Sequence, residues 1–161
     1  MKLTFNRGTI QIQGDVRVPN STWDERSRSY RAMALYYRDI LDFLKRSGFD
    51  FNDEVLDLLP CPELQSSAVL RDYQNQALDA WTANDSRGII VLPTGSGKTL
   101  VGIKAIAQLN TPTLVVAPTL DLVAQWRTRL KKEFETEVGV LGGGEWEIRA
   151  LTVSTYDSAY T

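Results

Sequence analysis

Apolar residues recur along the chain with two different periods, and each change of period marks an element. Between residues 3 and 18 the period is two: Ile10, Ile12, Val16 and Val18 alternate with Gln11, Gln13, Asp15 and Arg17. This predicts a half-buried antiparallel strand pair, turned at Arg7-Gly8 and stopped by Pro19. The polar run 20–27 predicts a loop. From residue 28 to 46 the spacing becomes three and four, through Ala32, Leu35, Tyr36, Ile40, Phe43 and Leu44. This predicts a helix closed by Ser47-Gly48. Val55-Leu56 and Leu58-Leu59 predict a further short helix within 49–59.

The pattern resumes after a break. Residues 59–67, with Pro60 and Pro62 near Ser66 and Ser67, disfavour a continuing helix or strand and predict a domain boundary. Leu70, Tyr73, Ala77 and Trp81 then share one helical face. Gly88-Ile89-Ile90-Val91 predicts a strand. Residues 99–109 predict a helix that is apolar around much of its circumference, as suits one covering a sheet. Thr113-Leu114-Val115-Val116-Ala117 reads as a parallel strand buried on both faces. Leu122, Val123, Trp126 and Leu130 predict another helix, and residues 150–155 a third parallel strand. The fold class expected is α/β. A small mixed α/β domain, 1–66, precedes a second domain, 67–161, with a mostly parallel sheet.

The strand at 88–91 runs into Leu92-Pro93-Thr94-Gly95-Ser96-Gly97-Lys98-Thr99, and a helix follows. Strand, glycine-rich turn and helix is the context a phosphate-binding loop needs. Gly95 and Gly97 let the backbone curl so that successive amides point inward. The helix beginning near Gly97 aims its unsatisfied N–H groups at the same spot. Lys98 adds a mobile positive charge for the β- and γ-phosphates, and the Thr99 hydroxyl is placed for Mg²⁺. The general motif asks for glycine where Leu92 stands; the glycines that shape the turn remain. Gln74 lies beside the apolar face of the preceding helix. Its amide carries a donor and an acceptor in one plane, which match N6 and N7 of adenine.

Other signals carry two readings each. Thr119 can cap the helix after the 113–117 strand. The free amides there suit a phosphate of a nucleic-acid strand or an ordinary strand–helix connection. Gly142-Gly143-Gly144 is a functional glycine loop or a surface hairpin. Tyr30, Tyr36 and Tyr37 sit among arginines, an interleaving that suits base stacking or a small core. Asn52-Asp53-Glu54-Val55 superficially resembles an acidic metal box, but it lacks a preceding apolar strand and comes before the phosphate loop, so it is rejected as a metal site.

Composition narrows the class. The chain has 161 residues, with 18 Lys+Arg against 20 Asp+Glu, a net charge of −2. This overall balance does not advertise nucleic acid, yet residues 17–46 hold seven Lys/Arg against four acids, a local excess that permits a DNA-facing surface including Arg28 and Arg31. There is no His and only one Cys, Cys61, which removes a Ser-His-Asp or Cys-His apparatus, a structural zinc site and an internal disulfide. No apolar run reaches 18 residues and no signal-peptide core is present, so an intracellular protein without a membrane partner is expected.

The order of segments then suggests a family. Leu70-Arg71-Asp72-Tyr73-Gln74 precedes LPTGSGKT at 92–99, VVAPTLDLVAQW at 115–126 and TVSTYDSAY at 152–160. The chain resembles the start of a superfamily 2 helicase motor, and more closely the archaeal XPB-type DNA repair helicases. RGTIQIQGDVRVP at 7–19 and RSRSYRAMALYYRDI at 26–40 resemble the damage-recognition domain that precedes the motor in that family. The resemblance implies a RecA-like motor domain, ATP and Mg²⁺ as cofactors, and DNA as partner. It implies 3'-to-5' opening of DNA and a cytoplasmic, archaeal setting with repair or nuclease partners. It further implies that Arg71 and Gln74 surround the adenine and that residues 93–99 (Pro93, Thr94, Gly95, Ser96, Gly97, Lys98 and Thr99) hold the phosphates. By the same resemblance, Lys98 and Thr99 are the implied catalytic pair. Pro118, Thr119 and Leu120, with Ser154, Thr155 and Tyr156, are implied to contact the DNA strand. A later strand ending in Asp-Glu-x-His and a second motor domain complete the family's machine. Residues 1–161 supply neither, so the remainder of the motor is an expected partner and hydrolysis by these residues alone is expected to be negligible. A restriction-type translocase and a non-catalytic DNA-binding module remain as alternatives; a small-molecule kinase leaves Arg71, Gln74 and the later segments unexplained.

Overall fold

A computed structural model describes residues 1–160. The chain divides into two compact units, Met1–Leu58 and residues from Leu59 onward.

The first unit is a five-stranded sheet with one helix. Strands β1 (Lys2–Asn6) and β2 (Thr9–Gln13) form the expected hairpin. Its two-residue turn is Arg7-Gly8, with φ of 46° and 77°. Positive φ at both positions matches the right-handed twist of the flanking strands. β2 stops at Gln13, before the expected Val18, because Gly14 takes φ 146° and turns the chain away. Strand β3 (Ser21–Asp24) occupies the predicted loop, and β4 (Ser29–Met33) the predicted first half of a helix. Both expectations are corrected by pairing: β4 bonds β2 on one side and β3 on the other. That ladder outweighs a helical spacing that was partly coincidental, since Leu35 is 64% exposed. A 3₁₀ turn (Ala34–Tyr36) leads into helix α1 (Tyr37–Arg46). Strand β5 (Asn52–Glu54) replaces the short helix expected in 49–59 and pairs in parallel with β1. The sheet order is β3-β4-β2-β1-β5. Ile40 and Leu44 of α1 join Leu3, Ile10, Ile12, Val18 and Ala32 in its core.

The second unit begins with the proline-flanked segment. Leu64 is buried, and its N–H donates to Asn110 Oδ1 at 2.7 Å. Helices α2 (Asp72–Ala83), α3 (Lys98–Leu109) and α4 (Leu120–Phe134) follow, with strand β6 (Thr113–Ala117) before α4. Strands β7 (Val138–Gly142), β8 (Glu145–Glu147) and β9 (Leu151–Thr155) precede the short α5 (Tyr156–Tyr160). The sheet order is β6-β9-β7-β8, with β6, β9 and β7 parallel and β8 antiparallel. The sheet is thus mostly parallel, as expected. Ile103 and Ile106 of α3 pack in the same core as Val123 and Leu130 of α4 and Val140, Leu151 and Val153 of the sheet.

The predicted strand at 88–91 forms no ladder. Its alternation survives: Ile90 and Leu92 pack on Leu70, Leu78 and Val101, while Ile89 and Val91 are 91% and 85% exposed. The segment has the alternating exposure of a strand but no neighbouring strand among the described residues, so its backbone groups have no ladder to join.

Candidate nucleotide and nucleic-acid sites

The loop at 93–97 is shaped by its own hydrogen bonds. Ser96 N–H donates to Pro93 O at 3.2 Å and Ser96 Oγ to the same oxygen at 2.6 Å. Gly95 and Gly97 both take φ 78°. Gly97 is the N-cap of α3, so Lys98 and Thr99 are the first two residues of that helix. Lys98 Nζ folds back over the turn and donates to Leu92 O at 2.9 Å and Pro93 O at 3.0 Å. The ammonium therefore sits against the start of the turn, and the turn runs into a helix N-terminus. Both features attract anionic oxygens.

The loop is anchored to α2. Gln74 Nε2 donates to Ser96 O at 2.7 Å and to Gly97 O at 3.3 Å, and Tyr73 Oη donates to Ser96 O at 2.8 Å. Gln74 Oε1 accepts the Arg71 N–H at 2.8 Å. A Cβ on Gly97 would come within 2.6 Å of Gln74 Nε2, so only glycine allows this close approach. Gln74 is 2% exposed, while Arg71 is exposed one turn away. Sequence reasoning singled out Gln74 but overlooked Tyr73, whose hydroxyl is visible as a loop contact only in three dimensions.

These residues fit a polyphosphate: a positive-φ turn, a helix N-terminus and a lysine are brought together within residues 93–99. To a divalent cation, Thr99 offers one hydroxyl. Among the described residues no three His, Cys, Asp or Glu gather into a metal site.

A second group of segments meets at the carboxyl ends of β6, β7 and β9, the edge where open α/β sheets bind ligands. Thr119 caps α4, its Oγ1 accepting the Leu122 N–H at 3.4 Å, a contact worth about 1 kcal/mol. Pro118, Thr119 and Leu120 are exposed. Gly142, Gly143 and Gly144 turn β7 into β8 with φ of 132°, 63° and 90°. A Cβ on Gly143 would stand 3.2 Å from Leu120 Cδ2, and one on Gly142 would stand 3.1 Å from Ser158 Oγ. Thr155 Oγ1 accepts the Ser158 N–H at 3.2 Å, and Tyr156 is exposed. Ser154 is buried, its hydroxyl donating to Thr155 O at 2.9 Å. The glycine turn thus joins the two predicted segments, a neighbourhood that the sequence left open.

In the first unit, Arg28 is exposed at the β3–β4 turn with φ 47°. Arg31 is half-buried. Its Nε lies 3.0 Å from Asp24 Oδ2, an ionic contact without aligned hydrogen-bond geometry. Hydrogen bonding from Ser27, opposed by burial and aided by the Arg26 N–H and Arg31, holds the Asp24 carboxyl below its ordinary pKa.

Residues 67–161 match the family described as the res subunit of type III restriction enzymes, and residues 3–55 match the damage recognition domain of the xeroderma pigmentosum group B helicase. The chain belongs to the XPB-type family of superfamily 2 helicases. Among XPB-type relatives, it is 41% identical over 150 residues to the DNA 3'-5' translocase XPB2 of Sulfurisphaera tokodaii, covering 93% of this chain and 34% of the relative. It is 42% identical over 90 residues to the DNA 3'-5' helicase XPB of Mycobacterium tuberculosis, covering 54% of this chain and 16% of that one. The XPB subunit of the general transcription and DNA repair factor IIH of Schizosaccharomyces pombe is 38% identical over 139 residues, covering 73% of this chain and 17% of the subunit. The chain therefore spans about a third or less of the length of these XPB-type relatives.

Proposed function

We propose that this chain is the front part of an ATP-dependent DNA translocase that moves 3' to 5', binding ATP through its phosphate loop and DNA through the edge built by Pro118–Leu120, Gly142–Gly144 and Thr155-Tyr156. The observation that carries the nucleotide half is the convergence of Gly97, Lys98 and Thr99 at the N-terminus of α3, with the loop held against α2. When bound, Mg²⁺ would be held by the nucleotide phosphates and the Thr99 hydroxyl, and it would screen charge between the β- and γ-phosphates. The loop amides and Lys98 bind and orient the phosphates. At the DNA edge, the α4 N-terminus and the glycine turn offer backbone N–H groups to phosphate oxygens. Such contacts position a strand without reading its bases. With Ser154 buried, contact from the β9 segment falls to Thr155 and Tyr156. Arg28 adds an exposed cation in the damage-recognition unit, where DNA-repair partners would meet the complete protein. Among the described residues no helix is long and apolar enough to cross a membrane.

Calorimetry of Mg-ATP binding to the chain and to Lys98→Ala tests this reading. Binding in the micromolar-to-millimolar range is expected, with at least a tenfold loss in the variant. A folded chain without ATP affinity, or affinity unchanged by Lys98→Ala, overturns it.

A further inference from the structure

The residue marked in the sequence as a reader of adenine is already fully engaged. Gln74 has two amide hydrogens, directed at Ser96 O and Gly97 O, and its carbonyl oxygen accepts the Arg71 N–H. At 2% exposure it has no open side for a base edge. Its neighbour Tyr73 adds a second donor to Ser96 O, so that one carbonyl accepts two side-chain hydrogen bonds from the same helix.

The planar peptide gives this arrangement its consequence. Among the described residues every peptide bond is trans, and in a trans peptide the C=O and the following N–H point in opposite directions. Drawing Ser96 O toward α2 therefore turns the Gly97 N–H away from α2, toward the concave side of the loop. Gly97 O accepts the Leu100 N–H at 2.9 Å as well as the Gln74 amide at 3.3 Å, so α3 itself directs the Lys98 N–H and Gln74 supports it. These are two of the amides that a phosphate-binding turn must aim inward. The Gly97 N–H is oriented from outside the turn by two side chains of α2, and no nucleobase takes part.

We infer that Tyr73 and Gln74 form a base-independent latch that presets the phosphate loop, with Tyr73 as a positioning residue. The inference rests on the phosphate-loop reading above and deepens it: the ligand class addressed by the latch is the polyphosphate, not adenine. Engagement of adenine by Gln74 then requires its amide to leave the loop carbonyls, and Tyr73 is the donor that stays on Ser96 O when it does.

The test compares Mg-ATP with Mg-tripolyphosphate, which carries no base, in calorimetry of the whole chain. Tyr73→Phe removes one hydroxyl from a side chain that is 37% exposed, so its melting temperature is expected to match the parent's. It should weaken both ligands by the same factor, about fivefold. Gln74→Glu keeps the acceptor for the Arg71 N–H but loses both donors to the loop, and it should weaken tripolyphosphate about tenfold or more. Loss of ATP affinity with tripolyphosphate binding untouched overturns the latch and makes the pair base readers. Unchanged affinity for both ligands in Tyr73→Phe also overturns it, as does a parent chain that binds ATP but not tripolyphosphate. A folded parent that binds neither ligand overturns the phosphate-loop reading itself, and the latch with it.

Discussion

Gly97 has no room for a side chain, and the obstacle is the amide of Gln74 rather than a hydrophobic wall. A sequence motif reports such a glycine as a turn former; the structure adds that it is also a contact surface. The same difference between residue type and residue neighbourhood governs Tyr37. Its place among arginines suits base stacking or a small core; its ring packs on the core of the first unit, and its hydroxyl donates to Asp53 Oδ2 at 2.5 Å. Burial first, and then the hydrogen bond and the charge of Asp53, push the phenol up to about 12. A group whose folded pKa is raised stabilises the fold below its unfolded value, and loses that contribution as pH climbs through the folded value. Tyr37 should thus contribute fully below about pH 10 and cease to by about pH 12. Absorbance titration near 295 nm should show Tyr37 as the last-ionising component, with Asp53→Asn moving it partway back because burial remains. A phenol that titrates at the ordinary value in the parent would refute the assignment.

Elements show why some structure was legible and some was not. The β1–β2 hairpin, α3, β6, α4 and β9 were readable because a local period, a capping residue and a turn all agreed. Thr119 before Leu122, and Gly97 before Lys98, are such agreements. β3, β4 and β5 were not readable, because their strand character comes from partners distant in sequence. Tyr30 finds Trp23 across the ladder, with ring centroids 5.1 Å apart, and Asn52 finds Lys2 fifty residues away. Residues 88–92 are the opposite case: a clear strand pattern without a ladder. Their apolar outward side, Ile89 and Val91, is left to solvent, and β6 forms an edge of its sheet with Leu114 exposed. Unpaired apolar strands are templates for association. The chain should therefore self-associate at high concentration, and Ile89→Lys with Val91→Lys should shift it toward monomer in sedimentation velocity without loss of Mg-ATP affinity. A parent that stays monomeric at all concentrations would contradict this.

At the scale of the whole molecule, binding and hydrolysis separate. The residues proposed to hold a triphosphate are gathered at one helix N-terminus: the loop amides, Lys98 and Thr99. Hydrolysis requires more, namely a group that orients the attacking water and positive charge opposite the leaving oxygens. The sequence has no His, and among the described residues no acidic group of three or more is assembled near any site. The relatives are about three times as long or longer, which leaves ample chain in them for those parts. Residues 1–161 alone are therefore expected to bind ATP and to turn it over negligibly, with DNA present or absent. Phosphate release measured on this chain decides the point. Turnover of about 1 per second, the lower end of the usual kinase range, would overturn the expectation if Lys98→Ala abolished it. It would place the water-orienting group within these residues, and the exposed carboxylates nearest the Lys98 end of α3 would be the first candidates to mutate. Turnover that survives Lys98→Ala would instead identify a contaminating ATPase and leave the separation of binding from hydrolysis intact.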